Sequence, residues 1–140
     1  MPLVFAERRS RRLIAIVEDD AAVLHSLEFD LEAQGYAVCA FSRAAAAIGS
    51  PDILAADCLV IDYALPDGDG VALIRSLRRR GVQCPAIIIA SNPTARSLLQ
   101  AEAVGAPVIE KPLMGDVLAD RLRLVLKEDQ PGPDPGDPVS

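Results

Sequence analysis

Five short stretches of the chain, 13–17, 36–40, 58–61, 86–90 and 108–109, are apolar at every position. Such runs, bounded by turn residues, predict strands, and 58–61 reads as one buried on both faces, as in parallel sheets covered by helices. Between them the period lengthens. Leu24, Leu27 and Leu31 recur at helical spacing over 21–34 while Glu28, Asp30 and Glu32 face away, with Asp20 at the N-cap and Gly35 as the stop. Ser42 is placed to cap a short Ala-rich helix that Gly49-Ser50-Pro51 ends. Ile74 and Leu77, opposite Arg75, Arg78 and Arg79, mark a third helix closed by Gly81. Asn92 as cap and Pro93 in the first turn open a fourth that runs to Val104. It is rich in Ala and poor in large apolar residues, which predicts weak packing and the greatest mobility. A fifth covers 116–128 with Leu118, Leu122 and Val125 inward, leaving Val117 and Leu124, one heptad apart, as a face for a homodimer.

Strand and helix thus alternate five times, the pattern of an α/β fold with a parallel sheet covered on both faces. Right-handed crossovers favour a doubly wound, flavodoxin-like sheet with strand order 2-1-3-4-5. The 140 residues and 51% hydrophobic content provide for one domain with a sizeable core. Residues 1–12, with Arg8, Arg9, Arg11 and Arg12, read as a solvated basic leader, 13–128 as the domain, and the Pro/Gly/Asp-rich 129–140 as a disordered tail. A net charge of -6 argues against a nucleic-acid or membrane-surface binder. Cys39, Cys58 and Cys84 form no CxxC pair and read as small core residues in a reducing compartment. With no signal-peptide pattern and no apolar run near the roughly 20 residues a bilayer requires, the expected location is the cytoplasm.

The candidate chemistry lies where the strands stop. Glu18 and Asp19 follow the first, Asp62 the third, Ser91 the fourth and Lys111 the fifth, so one sheet edge would gather three acids and an ammonium. That edge is where open α/β sheets bind ligands. Carboxylates crowded together raise each other's pKa unless a cation sits among them, and hard oxygen ligands with one open side suit Mg²⁺ beside a phosphate.

The acidic doublet, then Asp62 followed by Leu65-Pro66-Asp67-Gly68-Asp69-Gly70, then Lys111-Pro112, resembles the response-regulator receiver domain of two-component signalling over nearly all of 13–128. The resemblance implies that Asp62 accepts a phosphoryl group from a histidine kinase or phosphotransfer protein. It also implies that Asp19 and Asp62 bind Mg²⁺ directly, Glu18 through water and Ala64 by its backbone carbonyl, while Lys111 pairs with the phosphoryl oxygens. Pro112 is where the family often has a cis peptide bond. Such a protein catalyses only its own phosphorylation and dephosphorylation. With no residues left for an output domain, the reading is a stand-alone receiver acting through a downstream protein target.

Two positions depart from the family pattern. Its strand-four Thr or Ser falls on Ala90, with Ser91 one residue later, and a one-residue slip turns a side chain to the other face. Ser91 then either supplies the missing hydroxyl or caps the fourth helix. Val108 stands where an aromatic residue usually follows that hydroxyl, so phosphorylation is expected to be retained while its transmission is weakened or rewired. Two alternatives remain: an interaction module that keeps the fold without phosphorylation, and a Mg²⁺-dependent phosphatase. The second lacks an acid or base near Asp62 to serve a leaving group, since Asp67 and Asp69 lie in the loop beyond.

Overall fold

The computed structural model describes residues 11–127. Most of the basic leader and the whole 129–140 tail expected from composition lie outside the described residues. The elements are β1 (Leu13–Val17), α1 (Ala21–Ala33), β2 (Ala37–Phe41), α2 (Ala44–Gly49), β3 (Cys58–Asp62), α3 (Gly70–Arg79), β4 (Ala86–Ala90), α4 (Ala95–Ala103), β5 (Val108–Glu110) and α5 (Val117–Leu126). A 3₁₀ turn, Pro51–Ala55, leads into β3, and Ala64–Leu65 pairs with Gly68–Asp69 in a small hairpin after it. All five strands pair in parallel in the order β2-β1-β3-β4-β5. This is the doubly wound arrangement the alternation predicts.

Because β3 and β4 are buried at all five positions, their side chains feed two apolar layers, one on each face. On one, Leu27 and Leu31 of α1 and Leu118, Leu122 and Leu126 of α5 pack on Ile14, Ile16, Val60, Ile87 and Ile89. On the other, Ala47, Val71, Ile74, Leu77 and Ala101 cover Ala15, Val17, Leu59, Ile61 and Ile88. Residues of alternating parity go to opposite layers, as the pleat requires.

Asp20 caps α1 as expected, its Oδ1 accepting from the amides of Ala22 and Val23, and Gly35 follows in the left-handed region. Two other caps differ from the sequence expectation. Ser42 does not cap α2; the Asp67 carboxylate accepts from the amides of Ala44 and Ala45, both at 2.9 Å, across 23 and 22 residues. Nor do Asn92 and Pro93 open α4. Its N-cap is Thr94, whose hydroxyl accepts from the Ser97 amide while the Ser97 hydroxyl accepts from the Thr94 amide. This reciprocal pair satisfies two otherwise unbonded N–H groups, which Asn92 alone would not. It also removes helix capping as a role for Ser91.

The chain between β3 and α3 is pinned at Gly70, whose amide donates to the Tyr63 carbonyl at 2.7 Å. A Cβ there would lie 2.6 Å from the main-chain oxygen of Asp62 and 2.9 Å from Ile61 Cγ2. Gly70→Ala is therefore expected to destabilise the fold by about 2 kcal/mol through overpacking, read as a lower urea midpoint at unchanged slope. Unchanged stability would show that the loop relaxes freely.

Candidate functional site

Parallel register sets the site. Val17 pairs with Ile61 and Asp62 with Ile89, while Ala90 pairs with Glu110. The residues that follow these last rungs emerge at one edge, bringing Glu18, Asp62 and Lys111 together across three strands. The Lys111 Nζ donates to Asp62 Oδ2 at 2.8 Å and lies 2.8 Å from Glu18 Oε1. Asp62 Oδ1 accepts from the Ala64 amide at 3.2 Å, and Glu18 Oε2 from the Asp20 amide at 3.1 Å. Main-chain bonds fix the frame, with the Lys111 amide donating to the Ala90 carbonyl and the Tyr63 amide to the Ile89 carbonyl, each at 2.8 Å.

Glu18 is 0% exposed and Asp62 6%, whereas Asp19 faces solvent. Burial and then the neighbouring Asp62 carboxyl push the Glu18 carboxyl above its ordinary range, against the opposing pull of Lys111. At Lys111 burial acts downward, but the hydrogen bond to Asp62 and the carboxylate of Glu18 beside it outweigh it and raise the ammonium's pKa, keeping it charged. The site is thus a half-buried cation holding two buried acids.

Its bonding is incomplete in an informative way. The contact of Glu18 Oε1 with Lys111 is one of charge, not an aligned hydrogen bond, and Oε1 has no donor among the described residues. Ligand atoms of Glu18, Asp19 and Asp62 all lie within 4.8 Å of one another. An oxygen-only donor set with a buried, unbonded oxygen and one exposed member fits a hard divalent cation such as Mg²⁺. A cleft of about 320 Å³ lined by Glu18, Asp19, Asp62, Ala64, Ala90, Ser91 and Lys111 opens above them. Ser91 is exposed and its hydroxyl bonds to no other described residue, so both Ala90 and Ser91 border the cleft without engaging Asp62. The Lys111–Pro112 peptide bond is cis.

The loop acids that sequence reasoning set aside have definite work. Asp69 caps α3, accepting from the Ala72 amide at 2.8 Å, and Asp67 ties the loop to α2. The amides of Ala45 and then Ala44 hold the Asp67 carboxyl below its ordinary value of 3.8. A carboxylate bound more strongly when charged adds stability above its unfolded pKa and loses it as pH falls through its folded pKa. Asp67→Ala is accordingly expected to lower the melting temperature at pH 7, with the deficit fading as pH falls below 3.8. A deficit independent of pH would contradict this. Tyr63 is a residue the sequence did not single out. It hydrogen-bonds Gln100 at 2.6 Å, a pairing 37 positions apart that no local pattern signals.

Residues 14–123 match the sequence model described as the response regulator receiver domain. Among curated proteins, the transcriptional regulatory protein FixJ of Bradyrhizobium diazoefficiens is 28% identical over 84% of this chain and 58% of its own length. The transcriptional regulatory protein KdpE of Staphylococcus aureus is 33% identical over 80% of this chain and 48% of its own. The chain therefore spans about half the length of the curated relatives it matches. Among solved structures, FixJ-N superposes with a TM-score of 0.75 at 29% identity, covering 86% of this chain and 98% of that one. The non-phosphorylated HemR receiver domain from Leptospira biflexa gives 0.74 at 27%, with the same coverage.

Proposed function

This chain belongs to the response-regulator receiver family, and from that premise we propose that Asp62 accepts a phosphoryl group from a histidine kinase or histidine phosphotransfer protein, and that the modified domain signals by contact with a downstream protein. The observation that carries the reading is the pairing of a buried Asp62 with Lys111 at 2.8 Å beneath an open cleft, beside a third strand end that supplies Glu18 and Asp19.

In the transfer, one Asp62 carboxylate oxygen attacks the donor's phosphorus in line, forming an acyl phosphate as the donor's bond to phosphorus breaks. A carboxylate is nucleophile enough; what the reaction needs is neutralisation of the charge on the phosphoryl oxygens. Lys111 faces the attacking oxygens and supplies part of it. Mg²⁺, held by Asp19 and Asp62, by Glu18 through water and by the Ala64 carbonyl, would supply the rest as a second fixed charge. Asp62 approaches from its rigid strand end while the Ala64 amide orients its other oxygen. Ser91, one residue beyond β4, is proposed to place its free hydroxyl at the phosphoryl group, since Ala90 has none. A larger groove of about 660 Å³, lined by Val23, Leu27, Pro112 and Leu113, adjoins Lys111 and gives the phosphate donor a path of approach.

The proposal concerns the receiver unit. FixJ and KdpE bear names of transcriptional regulators, and the matched segment is about half of each. A second reading, an interaction module that keeps the fold without phosphorylation, draws on Ala90 and Val108 alone. Exposed Val117 and Leu124 remain the proposed face for a homodimer. Incubation with Mg²⁺ and acetyl phosphate, followed by intact mass measurement, separates the two readings. One phosphoryl group per chain, absent when the metal is chelated before the donor is added, is the expected result, and a persistently unmodified mass would favour the interaction module.

A further inference from the structure

The residue next to the proposed phosphate acceptor reaches further than any other in the site. Tyr63 is held by its main chain at both ends, its amide on the Ile89 carbonyl at 2.8 Å and its carbonyl on the Gly70 amide at 2.7 Å. Its half-buried ring packs against the apolar layer on the α2 and α3 side of the sheet. Its hydroxyl then crosses to α4 and donates to Gln100 Oε1 at 2.6 Å.

The helix it touches is held by little else. α4 buries only Ser97 and Ala101, while Leu98 and Leu99 are 45% and 66% exposed. Its capping pair is internal to the helix and adds nothing to its hold on the sheet. An open groove of about 380 Å³, lined by Leu98, Glu102, Ala106 and Val108, separates its flank from β5. Burial of two small side chains contributes little, so a single buried-edge hydrogen bond weighs heavily in where this helix sits. Ala90, which ends β4, and Val108, which opens β5, carry no side-chain polar group to share that work.

Asp62 and Tyr63 are mechanically joined. Asp62 Oδ1 is bonded to the Ala64 amide and Oδ2 to Lys111, on either side of the Tyr63 peptide unit and its neighbouring strand. Esterifying either oxygen takes away an acceptor now in use, so the 62–64 segment or Lys111 must re-seat. Resting on the proposed phosphorylation of Asp62, we infer that Tyr63 is the coupling residue of this receiver. Its hydrogen bond to Gln100 latches α4 in the unmodified state, and phosphorylation of Asp62 releases the latch and lets α4 shift on the sheet.

Hydrogen exchange at the α4 amides tests this, with intact mass reporting the adduct in the same samples. Tyr63→Phe keeps the ring and removes only the hydroxyl; Gln100→Ala breaks the bond from the other side. In the unmodified state both variants are expected to exchange roughly fivefold faster than wild type in α4, the scale of one hydrogen bond. Acetyl phosphate with Mg²⁺ should speed wild-type α4 exchange by a similar factor, while both variants take up the phosphoryl group to the same extent with little further change. Wild-type exchange rates in unmodified Tyr63→Phe, or an unchanged α4 in fully phosphorylated wild type, overturn the latch while leaving the acceptor role intact. A wild-type protein that takes no phosphoryl group overturns the acceptor role, and the coupling with it.

Discussion

Asp62→Asn protein, incubated with Mg²⁺ and acetyl phosphate, is expected to retain its unmodified mass under conditions that phosphorylate wild type completely. The substitution keeps the side chain's size and one acceptor oxygen, so it retains one of the two bonds that Asp62 takes on separate oxygens from Lys111 and from the Ala64 amide. It removes the negative oxygen that attacks phosphorus, and an amide is no nucleophile toward it. Removing one of two crowded acids also relieves the burial strain on Glu18, whose carboxyl is raised partly by Asp62. The variant should therefore still fold, with the lost acceptor bond set against the relief of Glu18, while losing the reaction entirely. Phosphorylation of Asp62→Asn at the wild-type rate would move the acceptor to Asp19 or the loop acids.

The second large effect belongs to Lys111. Lys111→Met keeps most of the stem and deletes the only side-chain cation within ion-pair distance of Glu18 and Asp62 among the described residues. Two buried carboxylates would then face each other uncompensated, a change that costs about 3 kcal/mol at neutral pH. Without that cation the Glu18 carboxyl, already raised by burial, would lose the pull that lowers it and rise further. Stability is then lost as pH climbs past about 4.5, the ordinary Glu value, and the deficit should shrink on acidification. Mg²⁺ should restore much of the difference, because it binds the folded form and neutralises the same oxygens. The phosphorylation rate is expected to fall about 10²-fold even with Mg²⁺ saturating, since the phosphoryl oxygens lose one of their two fixed positive neighbours. Urea denaturation with and without Mg²⁺, and the rate of mass gain, read both effects. Unchanged stability together with an unchanged rate would mean that Lys111 is a bystander.

Much of this was legible in the chain because the relevant signals are local. Continuous apolar runs ending in single polar residues identify strands and the edge at which they stop, and parallel pairing then sets the ends of β1, β3 and β5 along one edge, with β4 between the last two. That logic brings Glu18, Asp62 and Lys111 together without a long-range guess, and the salt bridges bear out their meeting. What stayed hidden depends on contacts between distant loops. Ser42 looked like a cap because its type and position are right, but Asp67 delivers a charged acceptor to the same amides from across the molecule. Asn92 and Thr94 are both good caps, and only the reciprocal Ser97 contact decides between them. Tyr63 drew no notice, since an aromatic residue after a strand carries no sign of a partner on α4.

The position of the slip after β4 is a different kind of case. The sequence identified both candidates, Ala90 and Ser91, and the strand ends at Ala90 as counted. Because the two side chains leave in different directions, one step decides whether a hydroxyl is present over Asp62. Thr94 takes the capping role away from Ser91 and leaves its hydroxyl unbonded at the cleft.

The claim on which the rest depends is that Asp62 itself carries the phosphoryl group. Borohydride reduces an acyl phosphate to the alcohol and leaves free carboxylates alone, so a reduced and digested sample records the modified residue by mass. The account predicts homoserine at position 62 and aspartate at 19, 67 and 69. Reduction at any of those three positions, with Asp62 recovered unchanged from fully phosphorylated protein, would contradict it.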